Sequence, residues 1–193
     1  MLTSSIVGVV DRDAIIDGLR IAPGDVAIGL ESSGPHTNGY TLLRRLLADN
    51  PSLPGADVDG VSFFERIMES HRCYYQGLKD LFPTGMLRGL AHITGGGIKE
   101  NLNRILPPGA AAIIDLSSYR MSALFRRIRD EGHVSDAEML RTFNMGVGLA
   151  AIARLGDVDT VIQHLSDRGF PSYIIGEIVP GDRRVETTGA FSW

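Results

Sequence analysis

Three short stretches of this sequence set chemistry-bearing residues beside flexible backbone. "SSGPHTNG", residues 32–39, places Ser33, Gly34, His36, Thr37, Asn38 and Gly39 between a β-branched run and a leucine-rich one. Hydroxyl, imidazole and amide groups next to backbone N–H donors can surround a small polar ligand. An imidazole titrates near neutrality, so His36 can move a proton or orient a group. Gly95, Gly96 and Gly97 stand where a strand-like run gives way to a helical one. Glycines there let the backbone approach a ligand, and unpaired N–H groups at a helix start favour an anion. In "MLRTFNMGVGL", residues 139–149, Arg141, Thr142 and Asn144 precede a glycine-punctuated run. An arginine fork is the natural bidentate partner of phosphate or carboxylate.

Each stretch also has a plainer reading. The first can be a helix start capped by Asn38 or Thr37, and the second a tight turn. The third can hold an arginine paired on the surface with Glu138 or Asp136. Residue types alone leave both readings open.

Several other chemistries are excluded. No Gly-x-Ser-x-Gly elbow supports a serine hydrolase. The triple glycine lacks a following Gly-Lys-Ser/Thr, and Glu100 breaks a dinucleotide fingerprint. "DRDAIIDG", residues 11–18, has Ile15 where a calcium loop needs an oxygen ligand. His71, His92, His133 and His164 have no ligand-like spacing and read as structural or solvated, so no metal ligand is assigned. The single Cys73 excludes an internal disulfide or a thiolate cluster; it reads as a half-buried structural thiol in a helix.

The elements that must position these stretches follow from hydrophobic period. Strands are expected at residues 6–10, 26–30, 89–94, 110–116, 147–153 and 172–179. Leu42, Leu43, Leu46 and Leu47 mark a helix after the first stretch, and Ile98, Leu102 and Ile105 mark one after the triple glycine. Residues 63–81 read as one or two helices, with Phe64, Ile67 and Met68 apolar. Met121, Leu124, Phe125 and Ile128 mark another helix, and Val158, Val161, Ile162 and Leu165 a further one. Ser135 with Glu138 is a capping-box pattern, residues 50–60 read as a turn-rich connection, and Met121, Met139 and Met145 read as core filler. Strands and helices interleave without the regular beat of a doubly wound sheet. The expected class is therefore α/β, a mixed β-sheet with packed helices.

With 193 residues, 44% hydrophobic and 22% charged, the chain reads as a single globular domain, residues 1–193. A net charge of −4 gives no reason to expect nucleic acid or an anionic membrane as a partner. No apolar run approaches the roughly 18 residues of a membrane span, and one cysteine suits a reducing compartment, so a cytoplasmic location is expected.

Taken in order, "GDVAIGLESSGPHTNGYTLLRRLL", "AHITGGGIKENLNRILP" and "EMLRTFNMGVGL" resemble the C-terminal half of the aminoimidazole ribonucleotide synthetase (phosphoribosylformylglycinamidine cyclo-ligase) family. The resemblance runs from about Ile6 to about Glu186. A wider superfamily shares the two-domain plan: formylglycinamidine synthase, selenophosphate synthetase, thiamine phosphate kinase and a hydrogenase maturation protein. The resemblance implies the family's ATP-dependent reaction. The amide oxygen of formylglycinamidine ribonucleotide is phosphorylated, and an internal nitrogen then closes the imidazole ring with loss of phosphate. It implies that ATP and magnesium are held mainly by an N-terminal half, whose Gly-Thr-Asp-Gly-Val-Gly-Thr-Lys-like segment does not occur here. The chain is thus expected to begin where the family's second half begins and to need an N-terminal partner half, supplied in trans or lost by truncation.

On the same basis His36 and Asn38 are assigned to catalysis, orienting the formyl or amidine group. Ser33, Gly34, Gly39, Arg141, Thr142 and Asn144 are assigned to the phosphorylated substrate, and Gly95, Gly96 and Gly97 to the nucleotide side of the cleft. The family also implies a homodimer, built mainly by N-terminal strands. Two local departures stand out. Glu31 replaces a small residue, and Ser70-His71-Arg72-Cys73-Tyr74 stands where the family reads Pro-Thr-Arg-x-Tyr, so only Arg72 and Tyr74 carry over. Two rivals remain: a stand-alone binding protein for a phosphorylated ribose or purine intermediate, and a domain of a sister ATP-using enzyme.

Overall fold

The computed structural model describes residue 5 and residues 7–193. In chain order the elements are β1 (Asp25–Glu31), α1 (Tyr40–Asp49), β2 (Asp57–Val58), β3 (Val61–Ser62), α2 (Phe63–Ile67) and α3 (Tyr75–Leu78). These are followed by β4 (Leu87–His92), α4 (Gly97–Leu102), β5 (Ala110–Asp115), α5 (Ala123–Gly132) and α6 (Asp136–Thr142). The last are β6 (Val147–Arg154), α7 (Val158–Asp167), β7 (Ser172–Pro180) and β8 (Val185–Thr188).

Six strands form one sheet in the order β4-β6-β1-β7-β5-β8, and β2 and β3 form a separate small hairpin. Pairing in the large sheet is antiparallel except for β5 with β8, so the sheet is mixed, as expected. β1 and β6 lie in its interior and are buried on both faces, which explains their nearly continuous apolar sequences.

Alternate residues serve two cores, because successive side chains of a strand point to opposite faces. Val26, Ile28 and Leu30 pack with Leu149, Ala151 and Ala153 against Leu78 of α3 and Val158, Val161 and Leu165 of α7. On the other face Ala27, Ala112 and Ile152 join Leu43 and Leu46 of α1, Ile98 and Leu102 of α4, and Phe125 and Ile128 of α5. Fully burying a leucine such as Leu43 is worth about 2 kcal/mol, so the leucine period of α1 fixes which face it turns to the core it shares with α5.

Several expectations need correction. Residues 7–10 form no strand, and Val7 and Val9 are 93% and 101% exposed. A β-branched run without a paired edge has nothing to gain from extension. Ile6 lies outside the described residues. Residues 63–81 hold two helices, as the expectation of one or two allows, but both are short, a loop over 69–73 separates them, and Phe64 and Met68 face solvent. Cys73 sits in that loop and is exposed, not half-buried in a helix. The turn-rich segment 50–60 contains β2 and a short 3-10 turn, Leu53–Gly55. α5 starts at Ala123, after Met121. Ser135 caps α6 by accepting from the Glu138 amide, but the Glu138 carboxylate turns to Arg141 and Thr142, so the box is half made. β8 has no counterpart in the sequence reading. Its "VETT" is short and polar, and it forms because β5 offers an edge.

Candidate functional site

Antiparallel pairing gathers the three stretches at one end of the sheet. Glu31, the last residue of β1, pairs with Val147, the first of β6, while His92, the last of β4, pairs with Leu149. The loops after β1 and β4 and the turn before β6 therefore meet. Backbone bonds then lock them together: Ser32 N–H to Gly146 O at 2.8 Å, Ile93 N–H to Gly148 O at 2.9 Å, and Gly96 N–H to Arg141 O at 3.0 Å.

Asn144 is the fastener of this end. It is only 2% exposed. Its Nδ2 donates to Gly34 O at 2.9 Å, and its Oδ1 accepts from the Ser32 hydroxyl at 3.1 Å and from the Gly146 amide at 2.9 Å. It shapes the 32–39 loop from beneath.

His36 is 4% exposed and adopts a left-handed backbone with φ 56°, which turns its ring inward over β6. A Cβ on Gly148 would lie 2.1 Å from the Tyr74 hydroxyl and 2.6 Å from His36 Cε1, so only glycine at that point of β6 admits both rings. Ser33 N–H donates to His36 Nε2 at 3.3 Å, whereas Nδ1 is buried without a hydrogen-bond partner. Burial first, then the charges of His71, His92 and Arg72, push the His36 pKa from 6.5 down to about 4. Burial also raises the Tyr74 phenol well above its usual value, and its hydroxyl donates to Glu31 O at 3.0 Å.

Neither Thr37 nor Asn38 caps α1. Gly39, left-handed at φ 74°, is the cap residue, and a Cβ there would strike the Phe143 ring at 2.1 Å. Asn38 instead holds a buried Nδ2 with no partner. The triple glycine is a tight turn: Gly96 N–H and Gly97 N–H are spent on Arg141 O and Thr94 O. Asn101 Nδ2 reaches the carbonyls of Thr94, Gly95 and Gly97. Arg141 is exposed and pairs with Glu138 at 2.8 Å, the plainer of its two readings, and Thr142 bonds the same carboxylate.

A polar cavity of about 250 Å³ opens beside the first loop, lined by Ser32, Ser33 and Gly34 together with Arg66, Arg72 and Arg120. Arg66 is paired with Glu69 and Arg120 with Glu31. Arg72 makes no ion pair among the described residues, and its Nη1 is buried without a partner. Arg72 lies outside the three chemistry-bearing stretches, so residue types and spacing alone do not assign it to the site. Gly39 and Thr142 line a different groove, with Thr41, Leu42 and His133.

Histidines widely spaced in sequence also meet here. His71 packs on His36 with ring centroids 3.8 Å apart, and its Nε2 is 3.0 Å from His92 Nε2. Their spacing in the chain carried no hint of this.

The sequence profile described as "AIR synthase related protein, C-terminal domain" matches residues 22–188, most of the chain. The chain belongs to this family. Curated relatives named phosphoribosylformylglycinamidine cyclo-ligase include one from Bordetella pertussis, 44% identical over 176 residues, and one from Sorangium cellulosum, 43% identical over 178. Each match covers 90% of this chain but 50% and 51% of the relative, so the chain spans about half their length. Among solved structures, thiamine-monophosphate kinase from Stenotrophomonas maltophilia is 19% identical with a TM-score of 0.64, covering 95% of this chain and 56% of that one. E. coli HypE is 19% identical with a TM-score of 0.60, covering 89% and 48%. These likenesses show the family's fold carried on a sequence that has diverged widely from both structures. Among the described residues no helix is long and apolar enough to cross a membrane.

Proposed function

We propose that this chain is the substrate-side part of an ATP-dependent cyclo-ligase that closes formylglycinamidine ribonucleotide to aminoimidazole ribonucleotide. The observation that carries the reading is the set of unspent polar groups around the 32–39 loop. His36 Nδ1, Asn38 Nδ2 and Arg72 Nη1 are buried without partners, and Arg72 borders the polar cavity. Buried polar atoms left without partners are rare, and three of them side by side at one loop call for a water, an ion or a ligand to complete them. The relatives named as cyclo-ligases give the substrate class.

In this reading Arg72, beside the 32–39 loop, holds a phosphate, with the guanidinium as a planar two-point donor. His36 stays neutral near pH 7 because its pKa is pushed down to about 4, so it orients a carbonyl or amidine group and does not supply a proton as an imidazolium. Magnesium prefers oxygen ligands. Among the described residues the one cluster of three potential ligands is made of histidines, which does not suit it. The amides of Gly96 and Gly97 are already bonded, so they do not form a nucleotide cradle. Both facts support leaving ATP and magnesium to an N-terminal half, which also fits the half-length match. A cytoplasmic setting belongs to the same proposal.

The test is calorimetric titration of ribose 5-phosphate into the chain and into Arg72→Ala and Arg141→Ala, with thermal melting as a folding control. Arg72→Ala is expected to weaken binding by about tenfold or more, the size of a lost charge-assisted hydrogen bond, with Arg141→Ala unchanged. Equal affinity in all three folded proteins would overturn the site. Ring closure is then assayed after adding an N-terminal half. Binding without turnover in that mixture would leave the stand-alone binding protein as the function.

A further inference from the structure

We propose that His36, His71 and His92 form a binding site for one divalent transition-metal ion of the zinc class. One ring nitrogen from each lies within 4.8 Å of the other two. A tetrahedral zinc site with bonds of 2.0–2.1 Å places its ligand nitrogens roughly 3.3 Å apart. The observed 3.0 Å between His71 Nε2 and His92 Nε2 is close to that spacing, and the His36 and His71 rings, stacked with centroids 3.8 Å apart, would have to turn edge-on to a shared ion to bring the third nitrogen in.

The protonation pattern suits ligation. His71 Nδ1 is 2.9 Å from the Arg72 carbonyl, which can only accept, so Nδ1 carries the proton and Nε2 presents its lone pair toward His92. A backbone carbonyl that fixes the tautomer of a ligating histidine is the usual second contact at metal sites. His36 is only 4% exposed; its Nε2 accepts from the Ser33 amide over a long 3.3 Å, so Nε2 bears the lone pair and would exchange that bond for the metal, while Nδ1 carries the proton and has no partner. The charged neighbour that opposes a cation is Arg72, whose field already acts on His36.

Three neutral imidazoles favour zinc, cobalt, nickel or copper over magnesium or calcium. They leave a fourth position for water. Tyr74 stands edge-on, 6.3 and 6.4 Å from the His36 and His71 rings, with its hydroxyl spent on Glu31 O, so it closes the site without joining it.

The experiment needs no substrate, so its outcome is separate from that of the cyclo-ligase reading. Zinc is titrated into the metal-stripped chain by calorimetry, and cobalt is followed by its visible absorption. The variants are His71→Ala and His92→Ala, both on exposed rings, with His164→Ala as the control and circular dichroism to confirm folding. One equivalent should bind with tetrahedral cobalt absorption. Each site variant should lose about 100-fold or more in affinity, beyond the 10–100-fold cost of losing an outer contact, while His164→Ala binds as wild type. Absence of saturable binding, or binding that survives His71→Ala or falls equally with His164→Ala, would overturn the site.

Discussion

The Nε2 atoms of His71 and His92 lie 3.0 Å apart, although 21 residues separate them in the chain. His92 is the last residue of β4, and His71 belongs to the loop that follows α2, so nothing local relates them. Both sit against His36, whose inward turn depends on its left-handed backbone and on the missing side chain at Gly148. The same loop thus carries the proposed substrate contacts and one corner of the histidine cluster.

The fastening role of Asn144 has a measurable cost. Asn144→Ala would leave Gly34 O, the Ser32 hydroxyl and the Gly146 amide without their buried partner. Each such loss costs about 1–3 kcal/mol, so a fall of roughly 3 kcal/mol is expected from denaturant unfolding. Ser32→Ala should cost about 1 kcal/mol, and the double variant less than the sum, because the two share a network. A near-neutral Asn144→Ala would mean that the loop holds its shape by other means.

Acid should destabilise the chain through His36. Its folded pKa, about 4, lies below the 6.5 of the unfolded state, so the unfolded chain binds the extra proton between those values. The contribution to stability is complete above pH 6.5, declines as pH falls toward about 4, and is constant below. The slope is at most about 1.4 kcal/mol per pH unit, the value for one proton. His92 acts in the same direction. Denaturant midpoints in the presence of a chelator at pH 7.5, 5.5 and 4.5 should show a steeper decline for wild type than for His36→Asn, asparagine being at ease with positive φ. Parallel declines would remove His36 from the account.

Two glycines should respond differently to the same substitution. Gly97 has φ 62°, and a Cβ there would lie 1.9 Å from Leu140 O. Gly60 has φ 81° with nothing within 4 Å of a Cβ. Gly60→Ala should cost only the left-handed penalty of about 1–2 kcal/mol, and Gly97→Ala more than about 3 kcal/mol because backbone must also move. In a chain of this size each kcal/mol lowers Tm by about 2–4 °C, so thermal melting separates the two. Equal shifts would show that the turn before α4 yields where the structure has it rigid.

Much of this protein is written locally. The leucine period of α1, the apolar runs of β1 and β6 and the glycine-marked loops between them are consequences of backbone geometry and burial acting over a few residues. The three chemistry-bearing stretches were visible for that reason, and their order carried the family resemblance. Pairing partners were not visible. Residues 7–10 have strand-like composition but no partner, whereas "VETT" pairs with β5 despite its polarity, because a strand is completed by its neighbour. Which side chains inside the stretches face the cavity was also decided only in three dimensions. Arg141 turns to Glu138, Asn144 turns inward, and Arg72 is left with an unpaired nitrogen by the cavity. The histidine cluster is the clearest case. It arises because antiparallel strands return the end of β4 to the start of β6, and distance along the chain says nothing about a contact made across a sheet.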